Sequence, residues 1–200
     1  NTPVSIINNI SSPYLQLAIN KNGKAIIVWQ HYESTNHNVY AKQYSSGSWQ
    51  STQAIESSSD NALYPDVAIN VAGDAIVVWI QDDGTRKNLY AKTYTEGVEW
   101  SEPLLLEYND ATIDSKPTIV LADTGNAMAI WKQTGDVYEN VYAARYTVIT
   151  GWLNPQIIDQ GDGDINSDKI IAKIHDNGNV YALWVQDDSS QDSVHMNIFK

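Results

Sequence analysis

The chain has 200 residues, of which 42% are apolar and 18% charged, enough for a real core and too apolar for disorder throughout. A net charge of −12 argues against a nucleic-acid surface, which needs a basic footprint, and disfavours anionic membranes. Cysteine is absent, which excludes disulfides and thiol chemistry, and no apolar run reaches membrane-spanning length.

In chain order the sequence repeats one unit. Gly23, Gly73, Gly125 and Gly178 are spaced 50, 52 and 53 residues apart, and Trp29, Trp79, Trp131 and Trp184 follow each by six. Tyr40, Tyr90 and Tyr142 are in phase, with His195 in the last copy; Tyr44, Tyr94 and Tyr146 likewise, with Phe199 last. Trp49, Trp100 and Trp152 close the first three copies. The copies run over approximately 14–56, 64–107, 116–159 and 169–200, with residues 2–7 ahead of the first.

Each copy reads as four short strands. The first is a segment such as "PDVAIN" (65–70), followed by a tight turn ending in Gly, which tolerates positive φ. The second, as in "AIVVW", is apolar at nearly every position and so is covered on both faces. The third, "NLYAKTY", alternates with period two, and the fourth contains the second tryptophan. No segment has helical periodicity over ten or more residues.

Four-stranded antiparallel units of about 50 residues have the dimension of propeller blades, which bury both faces by packing on one another. The expectation is an all-β, four-bladed propeller forming one domain over residues 1–200. Pro3 aligns with Pro103 and Pro155, so residues 2–7 are expected to supply the fourth strand of the last blade. The alternative is half of an eight-bladed ring, formed with a second chain or belonging to a longer protein. A monomer is expected in the first case and a dimer is open in the second.

The pattern "G-N/D-A-I-x-V-W-x-Q…N-V/L-Y-A-x-x-Y…W" resembles repeats of exported bacterial β-propeller proteins of unassigned function. The architecture is also similar to sialidase-like and hemopexin-like propellers, but the sialidase Asp-box is missing, and Arg86 and Arg145 are the only arginines. The resemblance, with a surface rich in Asn, Ser, Thr and Gln, implies an extracellular, cell-surface or periplasmic protein.

Candidate chemistry is sparse. Trp49, Trp100 and Trp152 sit on or beside the outermost strand, where they either pack the blade or offer rings to a sugar. Gln81, Gln133 and Gln186 lie two residues past the first tryptophan, with His31 in the same slot of copy one. Their amides can bond backbone at the blade edge or point at a ligand. Loops on one face hold most carboxylates, and the densest piece, "DQGDGDINSD", places Asp159, Asp162, Asp164 and Asp168 as oxygen donors for Ca²⁺ or as a solvated acidic loop. It departs from the EF-hand pattern, with Lys173 at the twelfth position counted from Asp162. Lys173 on the first strand of copy four is expected to meet Asp66 from the opposite blade.

No nucleophile elbow, phosphate loop or His-Glu-x-x-His spacing is present. The expected function is a non-catalytic exported binding or scaffold module that recognises a glycan or protein through the acidic loop face. The alternatives are a structural domain of a larger surface protein without a ligand of its own, and a glycoside hydrolase built on a loop carboxylate pair.

Overall fold

The structure, a computed structural model, describes residues 5, 7, 11, 14–56, 60–107, 109–113, 115–135, 138–160, 163–188 and 190–200. Each repeat forms its own antiparallel sheet, and no helix occurs among the described residues. The first sheet comprises β1 (Tyr14–Ile19), β2 (Ala25–Glu33), β3 (Asn36–Ser45), β4 (Ser48–Trp49) and β5 (Gln53–Ala54). The second comprises β6 (Ala62–Ile69), β7 (Ala75–Asp82), β8 (Lys87–Tyr94) and β9 (Leu104–Leu105). The third holds β10 (Thr118–Leu121), β11 (Ala127–Thr134), β12 (Glu139–Thr147), β13 (Gly151–Trp152) and β14 (Gln156–Ile157). The fourth holds β15 (Ile171–Ile174), β16 (Val180–Asp187) and β17 (Asp192–Phe199).

The fourth strand is more fragmented than the sequence implies. β4 and β5 both pair with β3, and β13 and β14 both pair with β12. Between the two pieces of the third sheet, and between the Tyr94–Trp100 bridge and β9 in the second, stand Pro155 and Pro103. Proline has no N–H to give a ladder. The segment expected to complete the last blade, residues 2–7, lies outside the described residues except for Ser5 and Ile7.

The four turn glycines behave alike. Each donates its N–H to the carbonyl three residues earlier, and their φ values are 78°, 104°, 86° and 89°. A side chain there would crowd the left-handed backbone, so Gly fixes the turn and with it the register of the hairpin.

Alternation along the second strands builds the core. On β7, Ala75, Val77 and Trp79 face the first sheet, while Ile76, Val78 and Ile80 face the third. Three apolar clusters result, one at each joint between successive sheets. Full burial of one Val, Leu or Ile side chain contributes about 1.5–3 kcal/mol, so each joint is held by many such terms. Each blade carries a stacked pair: Trp29 on Tyr40, Trp79 on Tyr90, Trp131 on Tyr142 and Trp184 on His195, at centroid distances of 5.7, 5.8, 5.9 and 6.2 Å. His195 thus fills the tyrosine slot as a flat ring.

Candidate functional site

The loops joining β7 to β8, and their relatives, share a face with the loops between blades. The glutamines organise that face. Trp79, Trp131 and Trp184 donate their indole N–H to Gln81, Gln133 and Gln186 at 3.0, 3.0 and 3.1 Å. Each glutamine amide then donates to loop carbonyls: Gln81 to Asp60 and Asn61, Gln133 to Asn109 and Ala111, Gln186 to Gly163. All three side chains are buried. The indole two residues earlier on the same strand face explains the spacing, since alternate side chains share a face. In the first blade His31 does the same work with reversed polarity, its Nδ1 accepting from the Ser11 N–H at 3.1 Å. These amides are therefore spent inside the protein.

The inner strands converge at the same end. Tyr14, Tyr64, Lys116 and Lys169 each stand nine residues before a turn glycine, one from each repeat. The Tyr14 and Tyr64 rings meet edge to face at 5.5 Å, and the Lys116 ammonium lies 6.0 Å from both centroids. Lys116 and Lys169 form a parallel bridge. Lys169 reaches Asp66 at 3.6 Å, and Asp66 also accepts the Ile119 N–H at 3.0 Å. Burial pushes the Asp66 carboxyl up, opposed by the Lys169 charge and the backbone N–H. Lys173, the partner expected for Asp66, pairs in register with Tyr181 and is exposed. Its strand phase turns it away from the third sheet, so the lysine four residues earlier takes the role.

Tyr64 departs from the expected strand. β6 begins at Ala62, and a register shift between Leu63 and Asp66 sets Tyr64 at φ 52°. The bulge leaves the Tyr64 N–H outside the ladder, and Gln30 Oε1 accepts it at 3.0 Å. A bulky residue in this region stores about 1–3 kcal/mol of strain, here holding the ring toward Tyr14.

The acidic loops are ordered by their own carboxylates. Asp83 accepts from the Thr85 hydroxyl, the Thr85 and Arg86 N–H groups and the Asn88 amide, which hold it well below the usual carboxylate range, Thr85 contributing most. Asp188 at the same repeat position accepts from Ser190, Ser193 and Gln191 and is brought down to about 2, Ser190 contributing most. Arg86 ties its loop to Glu107 at 2.8 Å and Asp110 at 2.6 Å. Burial raises the Glu107 carboxyl against the pull of Arg86.

Beside this loop opens a cavity of about 200 Å³, walled by Trp79, Tyr90 and Pro103 and rimmed by Asp60, Gln81, Asp82 and Asp83. A second cavity of about 240 Å³ lies at the turn end, between Tyr94 and Tyr146, with Asp74 its carboxylate. Of these two cavities, the first brings an aromatic ring, Tyr90, together with several carboxylates.

The remaining candidates are dispersed. Trp49, Trp100 and Trp152 are half-buried against Tyr44, Tyr94 and Tyr146 at 5.4, 5.3 and 5.3 Å, and Trp100 donates its indole N–H to Gln53 of the first blade. Asp159 is buried and accepts the Val141 N–H at 2.9 Å, while Asp164 accepts the Glu139 N–H at 3.2 Å. Asp168 is exposed and Asp162 lies outside the described residues. Among the described residues no three His, Asp or Glu side chains gather as a cation site.

No protein-family model and no curated protein matches the chain. Solved structures do. A protein of unknown function from Dyadobacter fermentans superposes with a TM-score of 0.62 at 11% identity, over 92% of this chain and 65% of its own. An endo-arabinase from Bacteroides thetaiotaomicron gives 0.52 at 15%, over 96% and 74%. Zg3597 of Zobellia galactanivorans, a family 117 glycoside hydrolase, gives 0.55 at 8%, over 92% and 65%. The chain spans about two thirds to three quarters of these proteins. The likeness establishes the propeller-type fold. Among the described residues no helix is long and apolar enough to cross a membrane.

Proposed function

We propose that the chain is an exported, non-catalytic binding module that takes a glycan on its acidic loop face. The observation that carries this reading is the cavity lined by the half-buried Tyr90, backed by the buried Trp79, together with Asp60, Asp82 and Asp83. Sugar rings pack on aromatic faces, and carboxylates accept their hydroxyls. Structures of similar fold named as an endo-arabinase and a glycoside hydrolase support a saccharide as the ligand class.

The state of the described carboxyls at this cavity supports binding without hydrolysis. A glycosidase needs a general acid whose pKa is raised into the working range. Asp83 is driven the other way by Thr85 and its neighbours and serves only as an acceptor at neutral pH. Burial raises two loop carboxyls, Glu107, which is turned to Arg86, and Asp159, which holds the Val141 N–H away from this cavity. A glycan array on the isolated chain tests the reading. Binding that weakens at least tenfold on Asp82→Asn supports it. Silence across the array favours a structural domain without a ligand, and turnover of a chromogenic glycoside favours an enzyme.

A further inference from the structure

The joints between blades differ at the turn end, although the repeat lays the same positions there. Each residue walling the small space between blades one and two has its repeat counterpart in the wall of the turn-end cavity between blades two and three. The first space measures about 10 Å³ and the second about 240 Å³. Side-chain length and charge account for the difference. Lys24 crosses the first joint and lays its ammonium over Gly73, 2.8 Å from Glu96 and 3.3 Å from the Ala72 carbonyl. At the Lys24 and Glu96 positions the next joint has the shorter Asp74 and Val148, and the space stays open. Between blades three and four a cation crosses again: Arg145, at the repeat position of Thr93, donates to the Gly178 carbonyl at 3.2 Å. Over Gly125, in the joint between blades two and three, Val148 stands instead of a cation.

We propose that this cavity is a second ligand site, for a small organic cation that carries a primary ammonium on an alkyl body. The occupant is read from the neighbouring joints, each of which completes this place with a cationic side chain. Asp74 supplies the opposing charge. The Asn70 amide and the Glu96 N–H donate to its two oxygens at 3.1 and 3.0 Å and hold the carboxylate in place. A carboxylate offers about four acceptor positions, so lone pairs remain for an ammonium. Among the described residues no lysine, arginine or histidine forms an ion pair with Asp74. Tyr94 and Tyr146 wall the cavity from the two blades, and aromatic rings attract a cation set over their faces. Leu121 and Val148 give the alkyl part an apolar wall. The net charge of −12 concentrates cations rather than anions near the protein. Asp74 precedes β7 and Asp82 ends it, so this site and the loop-face cavity lie at opposite ends of one strand.

The test is an NMR titration of the 200-residue chain with n-butylammonium chloride at constant ionic strength, with n-butanol and sodium butyrate as neutral and anionic counterparts. Saturable shifts are expected at Thr95, Leu121 and Val148, with Asp83 and Tyr90 at the far end of the strands unmoved. The alcohol and the carboxylate are expected to bind at least tenfold more weakly than the amine, a comparison that needs no variant. Asp74→Asn should weaken the amine at least tenfold. Asp74→Lys combined with Val148→Glu copies the Lys24–Glu96 pair into the open joint and should abolish the shifts. Near-ultraviolet circular dichroism checks that each variant is folded. Absence of saturable shifts with n-butylammonium overturns the proposal. So does an equal response to n-butanol, or binding that survives Asp74→Asn or the double substitution unchanged. The outcome is independent of whether the loop face takes a glycan.

Discussion

Asp66 of the second blade and Lys169 of the fourth form an ion pair of 3.6 Å that reaches past the intervening third blade. Asp66 is buried and also holds the Ile119 N–H, so one side chain links three blades at the axis. Asp66→Ala leaves that N–H unpaired and removes the partner of Lys169. The expected loss is about 1–3 kcal/mol, measured by urea unfolding. Lys169→Met is expected to cost less and to raise the Asp66 carboxyl further, visible by NMR titration. Equal stability of Asp66→Ala and wild type would remove the axial pair from the account.

Gln133→Leu tests the clamp between strand and loop. The substitution strands the buried Trp131 indole N–H and takes the donor from the half-buried Asn109 and Ala111 carbonyls. Unsatisfied buried groups cost about 1–3 kcal/mol each, so the variant is expected to lose at least about 2 kcal/mol in thermal or urea unfolding. Loop-face amides around residues 109–113 should exchange faster with solvent.

Gly125→Ala probes the turn. The backbone there has φ 86°, and an added Cβ would meet Val148 Cγ1 at 2.5 Å. The combined strain predicts a loss of about 1–2 kcal/mol by differential scanning calorimetry. Gly23→Ala, with nothing within 4 Å of the new Cβ, should lose only the conformational part.

Acid titration separates two kinds of carboxyl. Asp188 is lowered to about 2 by Ser190, Ser193 and Gln191, so its contribution is full above its unfolded pKa of about 4 and is lost as pH falls toward 2. Asp66 is raised, so its effect has the opposite sign: stability falls as pH rises through its folded pKa. Carboxyl-detected NMR titration should show Asp188 well below an ordinary aspartate, and Ser190→Ala should bring it back up.

The repeat was legible because Gly, Trp and Tyr return in phase, and those residues define turns and joints whose geometry cannot drift. The stacked pairs and the turn hydrogen bonds follow directly. The Gln slot was visible, while the commitment of its amide to the indole depends on side-chain directions that spacing does not record. The lysine of the axial pair was misassigned by four residues because period-two alternation does not say where a short strand begins. Tyr14, Tyr64, Lys116 and Lys169 share a repeat position, and that signal would have found Lys169. The bulge at Tyr64 leaves no mark beyond the proline that follows it. The loop cavity draws on Asp60, Asp83, Tyr90 and Pro103, which adjoin only when two strands and two loops are folded together.

Isothermal titration of the glycan selected by the array, against wild type and Asp82→Asn and Tyr90→Ala variants with native circular dichroism, tests the loop-face account most directly. Saturable binding by the wild type that drops at least tenfold in both variants is the predicted result. Equal affinity in all three proteins would place the ligand elsewhere and contradict it.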